Sequence, residues 1–339
     1  MEEQIPLNYR LIKKYLNKKN MKRHTQILSA FALASFALAT SAHANYGWTG
    51  ADVTNPNDPT DAANYNTTPP TYNSSANSGE FDIQNGTTGG ALIYTSAQGT
   101  TSDAGSLRVG ASTTNGAAPG SELDVTGGSL TFNSGGTSTV GYNGSGTIGV
   151  SGGTLSILGA DQFWFGNNVS ATANISGTGT FVVGDQFLFS RDGGAATLNI
   201  SGNGVFDLTN SAGTQFDTNG GGITPSVINL SGNGLFEQTA SNAIALSTGE
   251  FDINFASGST GQFSLLGETA TEFDTLITAG DIEIDGITDT TTSDFTYSSS
   301  GSQGVLALAA APEPTTWAML FGGFALLFGV QRLHRKRGV

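Results

Sequence analysis

Ile175-Ser176-Gly177 and, 25 residues on, Ile200-Ser201-Gly202 are two copies of one phrase, an apolar residue followed by Ser or Thr and then Gly. Earlier and later copies are Val125-Thr126-Gly127, Val150-Ser151-Gly152 and Leu230-Ser231-Gly232, so the glycines stand at 127, 152, 177, 202 and 232. A fixed period of this length marks a stack of supersecondary units. Around each glycine apolar and polar residues alternate, as in Leu123/Val125 with Leu130/Phe132 and Ile148/Val150 with Leu155/Ile157. Period two means strands with one buried face. From the third copy on, the first large residue after the turn comes one place later (Phe181, Phe206, Phe236), which reads as a longer turn.

Between the glycines lies a further strand, in Thr139-Val140-Gly141, Phe163-Trp164-Phe165-Gly166 and Phe187-Leu188-Phe189-Ser190, with Leu107-Arg108-Val109-Gly110 as its first copy. Three short strands per unit match one coil of a parallel β-helix, and no single coil can bury its own apolar face. The expected fold class is therefore all-β, a parallel β-helix or solenoid with coils of about 25 residues. At about 4.8 Å per coil, five or six coils make a rod of roughly 25 to 30 Å with apolar ladders inside and Thr/Ser/Asn rows outside. A β-sandwich of short hairpins is the alternative that regular turn signals leave open.

The array is expected over 105–249, flanked by an N-terminal β cap over 45–104 and a C-terminal β region over 250–308. The first flank carries Asn55-Pro56-Asn57-Asp58-Pro59 and Pro69-Pro70, with strands only at Phe81-Asp82-Ile83 and Ala91-Leu92-Ile93-Tyr94. The second carries Phe251-Asp252-Ile253-Asn254-Phe255 and Asp281-Ile282-Glu283-Ile284-Asp285. Open solenoid ends are sticky edges, so caps are required.

Of the 339 residues 48 are Gly, none is Cys and 12% are charged. Between Asn45 and Ala311 the only bases are Arg108 and Arg191, against 24 acids, a net charge of −22. Such a polyanion repels nucleic acid and stays soluble by self-repulsion. The three histidines, His24, His43 and His334, lie in the terminal segments. The central region thus lacks the groups for Ser-His-Asp or Cys-His catalysis and for imidazole or thiolate zinc sites.

Both ends read as addresses. Residues 21–44 form a signal peptide: Met21-Lys22-Arg23, an apolar run from Ile27 to Leu38, then Ala42-His43-Ala44 with cleavage after Ala44. This expects the Sec translocon and signal peptidase as partners. Residues 1–20 are a basic extension, either a long n-region or untranslated sequence ahead of a true start at Met21. At the other end Thr315 to Gln331 is uncharged, and a helix over 315–331 reaches about 25 Å, the short limit for crossing a bilayer. Arg332, Arg335, Lys336 and Arg337 follow as a membrane stop, placing the preceding chain outside the inner membrane.

Pro312-Glu313-Pro314, the apolar helix and the Arg-rich end resemble the PEP-CTERM sorting signal of Gram-negative bacteria, over 309–339. The resemblance implies recognition by an exosortase-like protease, and delivery from an inner-membrane-anchored precursor to the cell surface or extracellular matrix. Many proteins with this tail are similar in carrying Gly/Thr/Asn-rich β repeats.

Three functions are weighed: a non-catalytic surface or matrix structural protein, a carbohydrate-binding or adhesive module, and a polysaccharide-active β-helix enzyme. For the enzyme, Arg108 and Arg191, about three coils apart, are the only basic candidates, with Asp185 and Asp192 nearest the second. No catalytic residue and no cofactor is expected. The acidic patch Asp281, Glu283, Asp285 and Asp289 departs from the EF-hand pattern at Glu283 and Thr292, and weak divalent cation binding is the most it offers. Trp164 should point outward if Phe163 and Phe165 point in, as a platform for extracellular polysaccharide.

Overall fold

The computed structural model describes residues 46–48, 80–83, 91–103, 105–110, 120–134, 136–159, 161–191, 193–209, 215–216, 226–239, 246, 248–249, 251–288, 290–310 and 324. The segments expected to be a signal peptide, 21–44, and a membrane-crossing helix, 315–331, lie outside the described residues, Phe324 aside. Among the described residues no helix is long and apolar enough to cross a membrane.

The chain winds through three sheets in turn, building a parallel β-solenoid of about six turns. The first sheet orders β1 (Tyr46–Trp48), β2 (Glu80–Ile83), β5 (Ser106–Val109), β8 (Ser138–Val140), β11 (Gln162–Asn167), β14 (Gln186–Arg191) and β17 (Gln215–Phe216). The second orders β3 (Leu92–Tyr94), β6 (Ser121–Val125), β9 (Gly146–Val150), β12 (Ala171–Ile175), β15 (Ala196–Ile200), β18 (Ser226–Leu230), β20 (Phe251–Phe255) and β22 (Ile282–Ile284). The third orders β4 (Thr100–Asp103), β7 (Ser129–Ser134), β10 (Thr154–Gly159), β13 (Thr180–Val183), β16 (Val205–Leu208), β19 (Leu235–Gln238) and β21 (Gln262–Leu266), and ends in β24 (Gln303–Leu308) and β23 (Phe295–Ser300). Every pairing in the first two sheets is parallel, which excludes the hairpin sandwich.

The repeat explains the register. In the second sheet Val150, Ile175, Ile200 and Leu230 are successive partners, so the apolar residue before each Ser/Thr-Gly is one rung of an inner ladder. In the third sheet Leu155 pairs with Phe181, which confirms the extra turn residue after Gly177. The coil recovers its length at the next corner, since Gln162 pairs with Gln186. Gly202 is required at its turn because its φ is +62° and a Cβ would lie 3.1 Å from the Gly177 nitrogen on the coil below.

Parallel pairing continues past both ends expected for the array: Phe81 pairs with Leu107, Leu92 with Leu123, and Ile253 with Ile282. Phe81 and Ile83, Leu92 and Tyr94, and Phe251, Ile253 and Phe255 are buried like the apolar residues of the repeat, so these strands join the ladder as further rungs. Closure comes at the third sheet, where β24 pairs antiparallel with β21 and β23 with β24. Between β21 and β22 lies a helix, α1 (Ala270–Ala279), where sequence alternation had suggested only strands. Thr269 and Glu272 form its capping box, Gly280 ends it in the left-handed conformation, and Phe273, Leu276 and Ile277 are buried.

The core is one continuous stack. Phe165 lies 5.8 Å from Phe189 with rings 2° from parallel, and Phe163 lies 5.7 Å from Phe187. Phe206, Phe236 and Phe263 continue it at 5.2 and 4.7 Å. Offset stacking adds about 0.5–1.5 kcal/mol per pair beyond area burial.

Candidate functional site

Alternation in β11 sends Phe163 and Phe165 into the core and leaves Trp164 half-buried on the outer face of the first sheet. Four consecutive coils then place Arg108, Tyr142, Trp164 and Arg191 in one stripe. The Arg191 guanidinium carbon sits 3.9 Å from the centre of the Trp164 ring, a cation–π stack. Tyr142 lies 6.5 Å from Trp164, tilted 36°, and Arg108 stands 5.7 Å from the Tyr142 ring. The indole N–H donates to Gln162 Oε1 at 2.8 Å, and the Gln162 amide donates to Gln186 on the next coil. Trp164 therefore points outward as expected, but a guanidinium overlies its ring. The two arginines of the central region, three coils apart as expected, serve one aromatic pair.

The outer face of the second sheet carries a second row. Asn199 donates to Asn174 Oδ1 at 2.8 Å, Asn229 to Asn199 at 2.8 Å and Asn254 to Asn229 at 3.0 Å. The Gly286 N–H donates to Asn254 Oδ1 at 3.0 Å and ends the series. All four amides point the same way because the register aligns each with its predecessor one coil away.

Acids with raised pKa values are the third feature. Asp185 is 1% exposed, neither carboxyl oxygen has a hydrogen-bond partner, and burial followed by the charge of Asp161 pushes it up to about 6. Burial, then Glu283 and Asp281, push Asp252 up to about 6. In the expected cation patch, Asp281 is buried and accepts from the Gly249 N–H, Glu283 is half-buried, and Asp285 is exposed and accepts from the Ser257 N–H. Asp289 lies outside the described residues. Asp281 and Asp285 are thus used by backbone groups, and among the described residues no group of three or more His, Cys, Asp or Glu is arranged to hold a metal ion.

A fourth feature escaped the sequence reading. Glu268, Glu272, Leu246, Thr248, Thr275 and Leu276 line a cavity of about 180 Å³ beside the N-terminus of α1. Burial, then the charge of Glu272 and a hydrogen bond with it, push Glu268 up to about 7. Glu272 is held below the usual range by the Thr269 hydroxyl and N–H, each 2.7 Å from Oε2. The capping signature Thr269-x-x-Glu272 was visible, but Glu268 acquires its setting only when the helix folds back.

The residues expected to be processed, Ala42, Ala44, Pro312, Glu313 and Pro314, those expected to act as a membrane stop, Arg332, Arg335, Lys336 and Arg337, and Asp192 lie outside the described residues. The fold defines the class of the chain as a parallel β-solenoid. No family model, curated protein or solved structure matches it.

Proposed function

We propose that this chain is a non-catalytic structural protein of the cell surface or extracellular matrix of a Gram-negative bacterium. In this reading it passes the Sec translocon and loses residues 1–44 to signal peptidase. It is then held in the inner membrane by 315–331 until an exosortase-like protease acts at Pro312-Glu313-Pro314. The observation that carries the reading is the asparagine ladder, in which outward side chains bond to one another and spend their polarity on the stack. A net charge of −22 over 45–311 supports the same role by keeping such stacks apart. Intact-mass measurement of the protein recovered outside the cell tests it. The expected mass lacks both residues 1–44 and the basic tail, and uncut protein confined to the cytosol would overturn the route.

A second reading, a carbohydrate-binding or adhesive module, is favoured by the Arg/aromatic stripe. Arg191, held over the Trp164 ring, suits the carboxylate of an acidic sugar, with the aromatic pair fixing the guanidinium in place. In this reading Trp164→Ala abolishes binding to the producer's own polysaccharide, and unchanged binding eliminates it.

A further inference from the structure

We infer that the cavity at the N-terminus of α1 is a binding site for a primary alkylammonium group, with Glu268 and Glu272 holding the –NH₃⁺ head and Leu246 and Leu276 the methylene stem. Glu268 forms the floor: it is 8% exposed and its Oε2 is buried with no hydrogen-bond partner. The hydrogen bond with Glu272 leaves Oε2 unserved, and a buried carboxyl oxygen without a donor is destabilising, so the site is incomplete as it stands. Glu272 stands exposed at the rim, its Oε2 already taken by Thr269.

Among the described residues no cation lines the cavity. Residues 45–311 contain no lysine, and Arg108 and Arg191 both belong to the stripe around Tyr142 and Trp164. The lining then selects among cations. An ammonium head has three N–H donors for the two carboxyls, and Thr248 and Thr275 stand beside them. Leu246 and Leu276 suit a hydrocarbon stem and leave a fully hydrated metal ion poorly served. A volume of about 180 Å³ is below the roughly 300–1,000 Å³ of drug-sized pockets, room for an aminoalkyl group rather than an oligosaccharide. The amine can come from a free diamine or from a lysine side chain of another protein. The inference is independent of the export route.

Calorimetric titration of the full chain, solubilised in nonionic detergent, tests it with 1,4-diaminobutane, a short lysine-containing peptide, a trimethylammonium analogue of the diamine, and Ca²⁺. The expected result is saturable binding of the diamine or the peptide, the tighter one naming the source. The trimethylated analogue, without N–H donors, should bind at least tenfold more weakly. Glu268→Gln and Glu272→Gln should each weaken binding about tenfold or more, and Gln at 272 still serves a capping box, so the helix stays folded. Asp274→Asn removes the same charge from the same helix away from the cavity and should leave binding unchanged. No binding of either amine, equal binding of the trimethylated analogue or of Ca²⁺, or equal losses in Asp274→Asn would each overturn the assignment, the last by showing only attraction to a polyanion.

Discussion

Trp164 is fixed by three neighbours from three coils, Tyr142 below it, Gln162 beside it and Arg191 above. A cation–π stack shielded in this way contributes about 0.5–2 kcal/mol, larger than a typical exposed salt bridge. A denaturant double-mutant cycle on Trp164→Ala and Arg191→Ala should therefore give a coupling of about 1 kcal/mol on top of a loss of about 1–3 kcal/mol for the tryptophan alone. Additive single losses would mean the ring and guanidinium merely lie close. The outward direction of Trp164 was legible from period two in Phe163-Trp164-Phe165. Its pairing with Arg191, 27 positions away, was not, because the side chains meet only once the turn after β13 shortens the coil and sets Gln162 against Gln186.

At the level of elements, the asparagine ladder converts a weak repeat into a cooperative one. Removing one amide leaves the donor of the next coil and the acceptor of the previous one without their partners. Asn199→Ala should then cost about 1–2 kcal/mol, read as a shift of the denaturation midpoint, while Asn174→Ala, at the first position of the row, should cost less. Equal small effects at both positions would show that water replaces the amides freely. The strands of the three sheets could be read from glycine spacing and alternation because each coil satisfies one simple rule. The extent of the array could not, since Glu80–Ile83 and Leu92–Tyr94 sit apart from the Ser/Thr-Gly phrase and reveal their place only by pairing. Helix α1 was hidden for a different reason: the neighbouring strands alternate strongly, and its start signal, Thr269 with Glu272, is four residues long.

For the molecule as a whole, acids raised by burial govern the response to pH. Asp185 and Asp252 titrate near 6 and Glu268 near 7 in the folded chain, against about 4 when unfolded. A raised carboxyl pKa means the folded state binds the proton more tightly. That stabilisation is fully present below about pH 4 and is lost as pH rises through 6 and 7. The lowered values of Glu272, Asp285 and Asp294 act in the opposite sense, but only as pH falls below about 4. The melting temperature should accordingly be higher at pH 5 than at pH 8, and the triple change Asp185→Asn, Asp252→Asn, Glu268→Gln should flatten that slope. A melting temperature that rises from pH 5 to pH 8 would contradict this assignment of the buried acids.

The central claim is that equal coils stack in register, and cutting out one coil tests it most directly. Deleting residues 173–197 joins Thr172 to Leu198 and removes one 25-residue period, so Leu198 takes the inward place of Ala173. Deleting 173–196 instead puts Thr197 inward and reverses every side chain of the joined strand, because alternation has period two. Far-UV circular dichroism with thermal melting should show the first variant retaining a β spectrum and one cooperative transition, with the second losing both. Identical behaviour of the two deletions, both folded or both collapsed, would contradict the stacked-coil account.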